Sequence, residues 1–348
     1  MAQAGISRLA GGTIEVTTGA LAGLKLTIPP DALASDALIS VHPGVTTEAA
    51  GLLVLSEAAL FLPGGTRFDP VASLTMPFDP GLLPARTSSA DLLVMLRDEV
   101  TGQIEELTPN TVDELAGRVE VDLPHLSTCW VAVQLPPIDL VSYLPFNIGD
   151  EYVLRGDVSN LLLTLRIEAA PLNANFPAPD ILTMAFEFAG IHSGYYVRAA
   201  ANGDLLLLGQ FAEDGQNSFE EVHDQITVLA PGVVEDGEIF HTEATYTGHL
   251  PIGNPAVAYT GRIAADTEVF TASEIFVTPV GDFPDPVIFI REEDWMDSDG
   301  FAGTALTAFA LAEGLGVIAL EIDDVETFFL IDGTVGGQPI LVSGGRAR

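Results

Sequence analysis

The feature of this sequence that most constrains its fold is a series of short apolar segments, each bounded by turn-forming residues. Runs of about four to eight residues that are rich in aliphatic and aromatic side chains, with Gly, Pro or Asp between them, are typical of β-strands. Such runs recur along the whole chain, for example TIEV, LKLTIP, LISV, RVEVDL and CWVAV, and later LLLTLRIEA, DLLLLGQF and VIALEI. The 34 glycines and 23 prolines supply the turns that many short strands need. The sequence therefore predicts an all-β protein.

The length of the chain and one proline-rich stretch indicate two domains. A chain of 348 residues exceeds the usual size of a single core. The stretch QLPPIDLVSYLPFNIGD breaks the strand pattern at Pro136, Pro137 and Pro145. Farther along, Asn202-Gly203 between two apolar runs predicts a hairpin. The predicted organisation is a tail at residues 1–10, a β-sandwich at 11–135, a linker at 136–145, an antiparallel β domain at 146–340, formed as a curved sheet or a second sandwich, and a flexible tail at 341–348.

The chain is strongly acidic, with 49 Asp and Glu against 13 Lys and Arg and a formal net charge of −36. It lacks the basic patch that releases counterions from a phosphate backbone, so we predict no nucleic-acid binding. Repulsion also disfavours an anionic membrane surface, and no apolar run reaches the length of about 18 residues that a spanning helix needs, so we predict no membrane insertion. Either a high-salt setting or a GC-rich genome accounts for the acidity.

Five stretches of the first half, in this order, resemble the ZU-five domain, a β-sandwich of ankyrins, netrin receptors, the death-domain protein PIDD and many bacterial surface proteins. They are GGTIEV, LKLTIPPDAL, FLPGGTRFDPVASLTMPFDP, LLVMLRDEVTGQIEEL and GRVEVDLPHLSTCWVAV, within residues 11–134. Inside them, Pro63-Gly64-Gly65 predicts a turn that needs a positive φ. Val71, Leu74 and Met76 are expected to face the core.

The second half is similar, more distantly, to an all-β module of bacterial exported lipoproteins, over residues 143–335. The matching stretches are YLPFNIGDEYVLRG, YYVRAAANGDLLLLG and ALAEGLGVIALEIDDVETFFLIDG. Tyr152 stands where the module has Trp, and the lipid-carrying cysteine is missing, so no lipid anchor is predicted. The N-terminus has no apolar signal core. Because both resemblances are to exported modules, we expect an extracellular or cell-surface protein whose signal peptide was removed and replaced by Met1; the alternative is no export by this route.

The tripeptide His125-Leu126-Ser127 is the type of sequence at which PIDD and the related GAIN domain of adhesion receptors cut their own backbone. The resemblance implies that Ser127 Oγ attacks the Leu126 carbonyl, that His125 takes the hydroxyl proton, and that water hydrolyses the ester. In the alternative interpretation these residues are part of an ordinary β-strand, with His125 and Ser127 on one face. We favour the structural interpretation and keep cleavage after Leu126 as the alternative.

The acidic stretch DWMDSDG is a candidate calcium loop. Asp294, Asp297 and Asp299 precede a glycine, and carboxylates in such a spacing can wrap one ion. The stretch lacks the bidentate Glu of an EF-hand, so an acidic turn is the interpretation that we favour. The runs REED at 291–294 and EIDD at 321–324 are interpreted as solvated strand ends. No other cofactor is predicted.

No catalytic motif is present that would act on an external substrate, so we do not predict an enzyme. We predict a non-catalytic extracellular structural or interaction module that pairs with itself or with other proteins through sheet edges, with a self-assembling surface or filament subunit as one form. One alternative is a soluble carrier for a lipid or carbohydrate in the second domain. The other is the autoproteolytic module.

Overall fold

The computed structural model describes residues 1–47, 49–84, 87–99, 101–272, 275–322 and 326–340. Their regular structure consists mainly of β-strands, which confirms the predicted all-β class. The chain divides into two compact units, Met1–Pro136 and Pro137–Arg348, and the division falls at the start of the predicted linker. The predicted C-terminal tail, 341–348, lies outside the described residues.

The first unit consists of two antiparallel sheets that share one apolar core. Its strands are β1 (Ala2–Ile6), β2 (Gly12–Glu15), β3 (Lys25–Ile28), β4 (Ala37–Pro43), β5 (Leu52–Val54), β6 (Ala59–Leu62), β7 (Arg67–Pro77), β8 (Leu92–Arg97), β9 (Ile104–Leu107), β10 (Thr111–Asp113), β11 (Arg118–His125) and β12 (Thr128–Gln134), with 3-10 turns at Pro80–Leu82 and Ser89–Asp91. One sheet has the order β1-β4-β6-β12-β8-β9, with β5 beside β12, and the other has the order β10-β11-β7-β3-β2. Alternate residues point into the core, as Val119, Val121 and Leu123 do in β11.

Two predictions for the first unit differ from the structure. Residues 1–10, predicted as a tail, contain β1, which pairs with β4 over its full length. Val71 is 45% exposed whereas Leu74 and Met76 are buried. Val71 and Leu74 are three positions apart, so they lie on opposite faces of β7. The predicted turn is confirmed, because Gly65 has a φ of 74°.

The second unit is built around a closed antiparallel barrel of twelve strands. Its elements are β13 (Ile138–Asp139), α1 (Leu140–Tyr143), β14 (Glu151–Gly156), β15 (Leu162–Ala169), β16 (Leu182–Phe188), β17 (Ile191–Ala199), β18 (Leu205–Glu213), β19 (Ser218–Ala230), β20 (Val233–Val234), β21 (Glu238–His249), β22 (Tyr259–Thr271), β23 (Phe276–Thr278), β24 (Gly281–Phe283), β25 (Val287–Asp297), β26 (Ala302–Ala312), β27 (Gly316–Ile322), β28 (Glu326–Val335) and β29 (Gln338–Pro339). The barrel order is β14-β15-β16-β17-β18-β19-β21-β22-β25-β26-β27-β28, and β28 pairs back with β14. The predicted curved sheet therefore closes on itself, and the alternative of a second sandwich is wrong.

One end of the barrel is covered by residues 138–146, which we call the cap segment. Its strand β13 pairs with β20, and Leu140 at the start of α1 is buried. Leu144, Pro145 and Phe146 then lie against the apolar interior. Of the predicted linker, 136–145, all residues from 137 onward thus belong to the second unit. The predicted hairpin at Asn202-Gly203 is confirmed at this end, where it joins β17 to β18.

A smaller apolar cluster lies on the outside of the barrel wall, under residues 170–181, which we call the outer loop. Phe176 of this loop stacks on Tyr196, with 3.9 Å between the ring centroids. Asn173 and Asn175 donate hydrogen bonds to Glu220 of β19, which is fully buried. These contacts anchor the outer loop to the wall.

Candidate functional site

A band of polar and ionisable side chains crosses the interior of the barrel, and we call it the polar layer. Its members lie at inward positions of neighbouring strands, where the two-residue period of the strands directs them away from solvent. The layer consists of Tyr195, Gln210, Glu221, His223, Thr267, Arg291, Glu293 and Thr307. The rest of the interior is mainly apolar, so the layer is the chemically distinctive part of the barrel.

The layer contains a buried ion pair on β25. Arg291 and Glu293 are 3% and 6% exposed. Arg291 Nε donates to Glu293 Oε1 at 2.6 Å, and Nη1 donates to Thr267 Oγ1 at 3.1 Å. The alternate residues Glu292 and Asp294 are exposed. The prediction that residues 291–294 form a solvated strand end is therefore wrong for Arg291 and Glu293, because every second residue of this strand faces the interior.

Glu221 of β19 is a buried carboxyl whose hydrogen-bond donors are neutral. Its side chain accepts hydrogen bonds from Gln210 Nε2 and, at 2.8 Å, from the Tyr259 hydroxyl. Burial raises the pKa of Glu221; the two hydrogen bonds lower it, and the nearby charges of Asp297 and Glu293 raise it further. The surroundings of Glu221 thus disfavour its charged form.

His223, two residues farther along β19, carries a polar atom that nothing in the described part of the protein satisfies. The residue is 8% exposed and lies opposite Tyr246 of β21. Its Nδ1 is buried without a hydrogen-bond partner among the described residues. Burial, and then the charge of Arg291, lower the pKa of His223 from 6.5 to about 4, so the ring is neutral at pH 7. A buried, unpaired nitrogen is costly, and a ligand group can satisfy it.

Two cavities flank the polar layer, and Tyr195 and Thr307 line both of them. The enclosed cavity, on the side of the cap segment, has a volume of about 40 Å³ and apolar walls, with Arg291 at its edge. At about 10–15 Å³ for one water molecule, it holds only a few waters. The second cavity is open to solvent at the end where β16 turns into β17, and its volume is about 360 Å³. We call it the mouth cavity.

The mouth cavity has apolar walls and a polar floor. Phe186, Phe188, Ile191, Phe219 and Leu320 are among the wall residues. The floor is formed by Tyr195, Gln210 and Thr307 of the polar layer. Gln210 donates a hydrogen bond to Glu221, and Thr307 lies opposite Arg291 in the sheet. The charged part of the layer therefore begins directly beneath this floor.

The residues of the predicted cleavage site meet at the junction of β11 and β12 in the first unit, where all three are buried. His125 Nδ1 lies 3.4 Å from the Leu126 oxygen, which also accepts the Gly65 N–H at 2.8 Å. Ser127 Oγ donates to the Arg97 carbonyl oxygen. No hydrogen bond between Ser127 and His125 occurs among the described residues. The hydroxyl must turn away from Arg97 before it can attack Leu126.

The predicted calcium ligands are not brought together. Asp294 is exposed on the outside of β25. Asp297, three positions later, accepts a hydrogen bond from the Tyr246 hydroxyl inside the barrel. Asp299 lies in the following turn. Residues three apart on a strand point to opposite faces. Nowhere in the described ranges do three or more His, Cys, Asp or Glu side chains form a group that could hold a metal ion.

Sequence reasoning missed the polar layer, although one signal for it was present. Val287 and Phe289 are buried, and the next two residues of the same parity are Arg291 and Glu293. Extending the inward face of β25 by two steps of two residues would have found the ion pair. His223 gives no comparable signal, because the residues two positions before and after it on the same face, Glu221 and Gln225, are both polar.

Within the described ranges, no helix is long and apolar enough to cross a membrane. Comparison with known protein families and with curated proteins finds no match to this chain. The resemblances to the ZU-five domain and to the lipoprotein module therefore stay predictions.

Proposed function

We propose that the second unit binds a small amphipathic organic molecule in the mouth cavity. The observation that carries this proposal is the open cavity of about 360 Å³ with apolar walls and a polar floor. Sites for small molecules usually have volumes of about 300–1,000 Å³, apolar linings and a few polar groups that fix orientation. This corresponds to the carrier alternative among the functions considered from the sequence.

The lining of the mouth cavity defines the orientation of the ligand. The hydroxyls of Tyr195 and Thr307 and the amide of Gln210 lie at the floor, so a polar end of the ligand points inward and finds both donors and acceptors. The apolar body then lies against Phe186, Phe188 and neighbouring walls. Burying that body drives binding, at about 0.8 kcal/mol for each CH₂ group.

The volume of the enclosed cavity favours a small ligand over a long lipid. At about 40 Å³ it cannot accept an acyl chain, and the cap segment closes its end. Of these two cavities, the mouth cavity is the one with room for such a ligand.

The experiment compares two tryptophan substitutions in the full chain. Ala212 lies opposite Ser193 and lines the mouth cavity, so Ala212→Trp fills it. Ala201→Trp, in the exposed turn between β17 and β18, is the matched control. We expect saturable binding of the neutral dye Nile red, followed by fluorescence, to weaken at least tenfold in Ala212→Trp and to stay unchanged in Ala201→Trp. Equal binding by both folded variants, or no saturable binding by the unsubstituted protein, would overturn the proposal.

We also propose that the first unit associates with a second copy of this chain by strand addition at β1. The twelve barrel strands are paired on both sides, whereas the two sheets of the first unit end at β1, β9, β10 and β2. Three of these edge strands carry acidic residues, which protect edges against pairing, but β1 (AQAGI) has no charge. The favouring observation is this unprotected edge.

Sedimentation velocity of the full chain tests this second function. Gln3 and Gly5 are exposed on β1, so Gln3→Lys with Gly5→Lys places charge along its edge. Thr111→Lys on the already acidic edge β10 is the control. We expect concentration-dependent association that the β1 substitutions abolish and the control retains. A protein that stays monomeric at all concentrations contradicts the idea.

A further inference from the structure

The interior of the barrel holds more carboxylates than cations. Glu221 and Glu293 are buried there, and Asp297 accepts a hydrogen bond from the Tyr246 hydroxyl inside the barrel. Arg291 is the only lysine or arginine that is buried in the described part of the chain. Since Arg291 is already paired with Glu293 and Thr267, Glu221 and Asp297 have no cationic partner among the residues that the structure describes.

These carboxylates lie within electrostatic range of one another. The charges of Asp297 and Glu293 act on Glu221, and those of Glu221 and Asp297 act on Tyr246 and Tyr259. Like charges in a poorly hydrated interior repel, and a cation between them relieves that repulsion. The charge distribution therefore fits a positively charged ligand group.

His223 supplies an independent observation on the same strand as Glu221. Its Nδ1 is buried without a partner in the described ranges, and the residue lies two positions from Glu221 on the same strand. In the tautomer that carries its proton on Nε2, this nitrogen is an acceptor. An ammonium group has three N–H donors, so it can bond Glu221 and His223 at once.

The surroundings also suit a cation on a small organic body. Tyr246 and Tyr259 meet edge to face, with ring centroids 6.4 Å apart, and their rings offer π faces to a positive charge. Gln210 connects this region to the mouth cavity, because its amide lines the floor and holds Glu221. An ammonium that reaches Glu221 takes the place of the Gln210 donor.

We propose that the ligand of the mouth cavity is a primary amine with an apolar body, whose ammonium group donates hydrogen bonds to Glu221 and to Nδ1 of His223. This inference rests on the proposed ligand-binding function. The strong negative charge of the chain, −36, further attracts cations to it over anions.

The test uses three probes with the same apolar chain: octylamine, octanol and octanoate. Their affinities for the full chain are measured by isothermal titration calorimetry at pH 7 in 1 M NaCl, where a Debye length of about 3 Å screens the surface charge. We expect octylamine to bind at least tenfold more tightly than octanol. In Glu221→Gln this ratio falls to about one, whereas the exposed control Glu292→Gln retains it.

A second variant guards against loss of folding in Glu221→Gln. His223→Leu removes the other acceptor, and we expect it to lower the octylamine to octanol ratio by several fold. A ratio near one in the unsubstituted protein, or a high ratio that survives both substitutions, overturns the amine inference. If octanol binds without preference for the amine, and Ala212→Trp abolishes that binding, the proposed function stands alone. If none of the three probes binds, both proposals fail.

Discussion

Removing one member of the ion pair inside the barrel should destabilise it far more than removing both. Arg291 and Glu293 have side chains that are 4% and 8% exposed, with 2.6 Å between Arg291 Nε and Glu293 Oε1. Glu293→Met leaves the Arg291 guanidinium buried without its counter-charge, and breaking such a pair costs about 3–5 kcal/mol. Arg291→Met with Glu293→Met removes both charges. We expect the double variant to lie within about 1 kcal/mol of the starting protein, because apolar replacement of a whole buried pair is often close to neutral.

Because the chain has one tryptophan in each unit, the unfolding of the barrel can be measured separately from that of the first unit. Trp130 lies in the first unit and Trp295 in the second. With Trp130→Phe in every variant, fluorescence during urea unfolding reports the barrel through Trp295. For a slope of about 3 kcal/mol per molar urea, a loss of 3–5 kcal/mol lowers the unfolding midpoint by about 1–1.7 M. The control is Glu292→Met, an exposed neighbour of Glu293, for which we expect a change within about 0.5 kcal/mol.

Two outcomes would refute the reasoning about the ion pair. If Glu293→Met changes the midpoint no more than Glu292→Met does, the carboxylate does not compensate a buried charge. If the double variant loses as much stability as the two single variants together, the two side chains are not coupled.

Four further predictions concern other parts of the protein. The pKa of His223 is about 4 in the folded protein and 6.5 in the unfolded chain. As the pH falls from 6.5 to 4, His223 therefore becomes protonated in the unfolded chain but stays neutral in the folded barrel. This linkage costs up to about 3 kcal/mol, and we expect a matching drop in stability that His223→Phe lacks; NMR should show His241 titrating above 6.5, since its hydrogen bonds to carboxylates raise its pKa. Glu220→Ala removes the carboxylate that accepts the hydrogen bonds of the outer loop. We expect faster proteolysis within that loop and a free energy of unfolding that is lower by about 2–3 kcal/mol. An unchanged rate of proteolysis would contradict this role of Glu220. Denaturing mass spectrometry should give one intact mass, and Ser127→Ala should lower it only by the mass of one oxygen atom. The reason is that the Ser127 hydroxyl donates a hydrogen bond to the Arg97 carbonyl oxygen in β8. Fragments that end at Leu126 would show self-cleavage instead.

Much of the local structure follows from the order of the residues. The all-β class, the hairpin at Asn202-Gly203 and the glycine-rich turn at Gly65 depend on strand propensity and backbone conformation, which act between near neighbours. The position of the division between the units was also close, because prolines interrupt strand pairing there. The two-residue period of a strand also separates Tyr195, which faces the interior, from Tyr196, which lies in the outer cluster.

The closure of the barrel was decided only by the tertiary structure, and so was the assembly of the polar layer from several strands. Closure joins β14 to β28, strands that are far apart in the chain, through backbone hydrogen bonds that carry no side-chain signature. The two-residue period of a strand shows which residues share a face. It does not show whether that face is inside, and for this reason Arg291 and Glu293 were assigned to solvent from the sequence. The sequence by itself determined the strands and their two faces. Which face became the interior depended on the curvature of the whole sheet. Closing the sheet into a barrel removes one face from water, and this creates buried charges, a His223 nitrogen without a partner among the described residues, and a cavity.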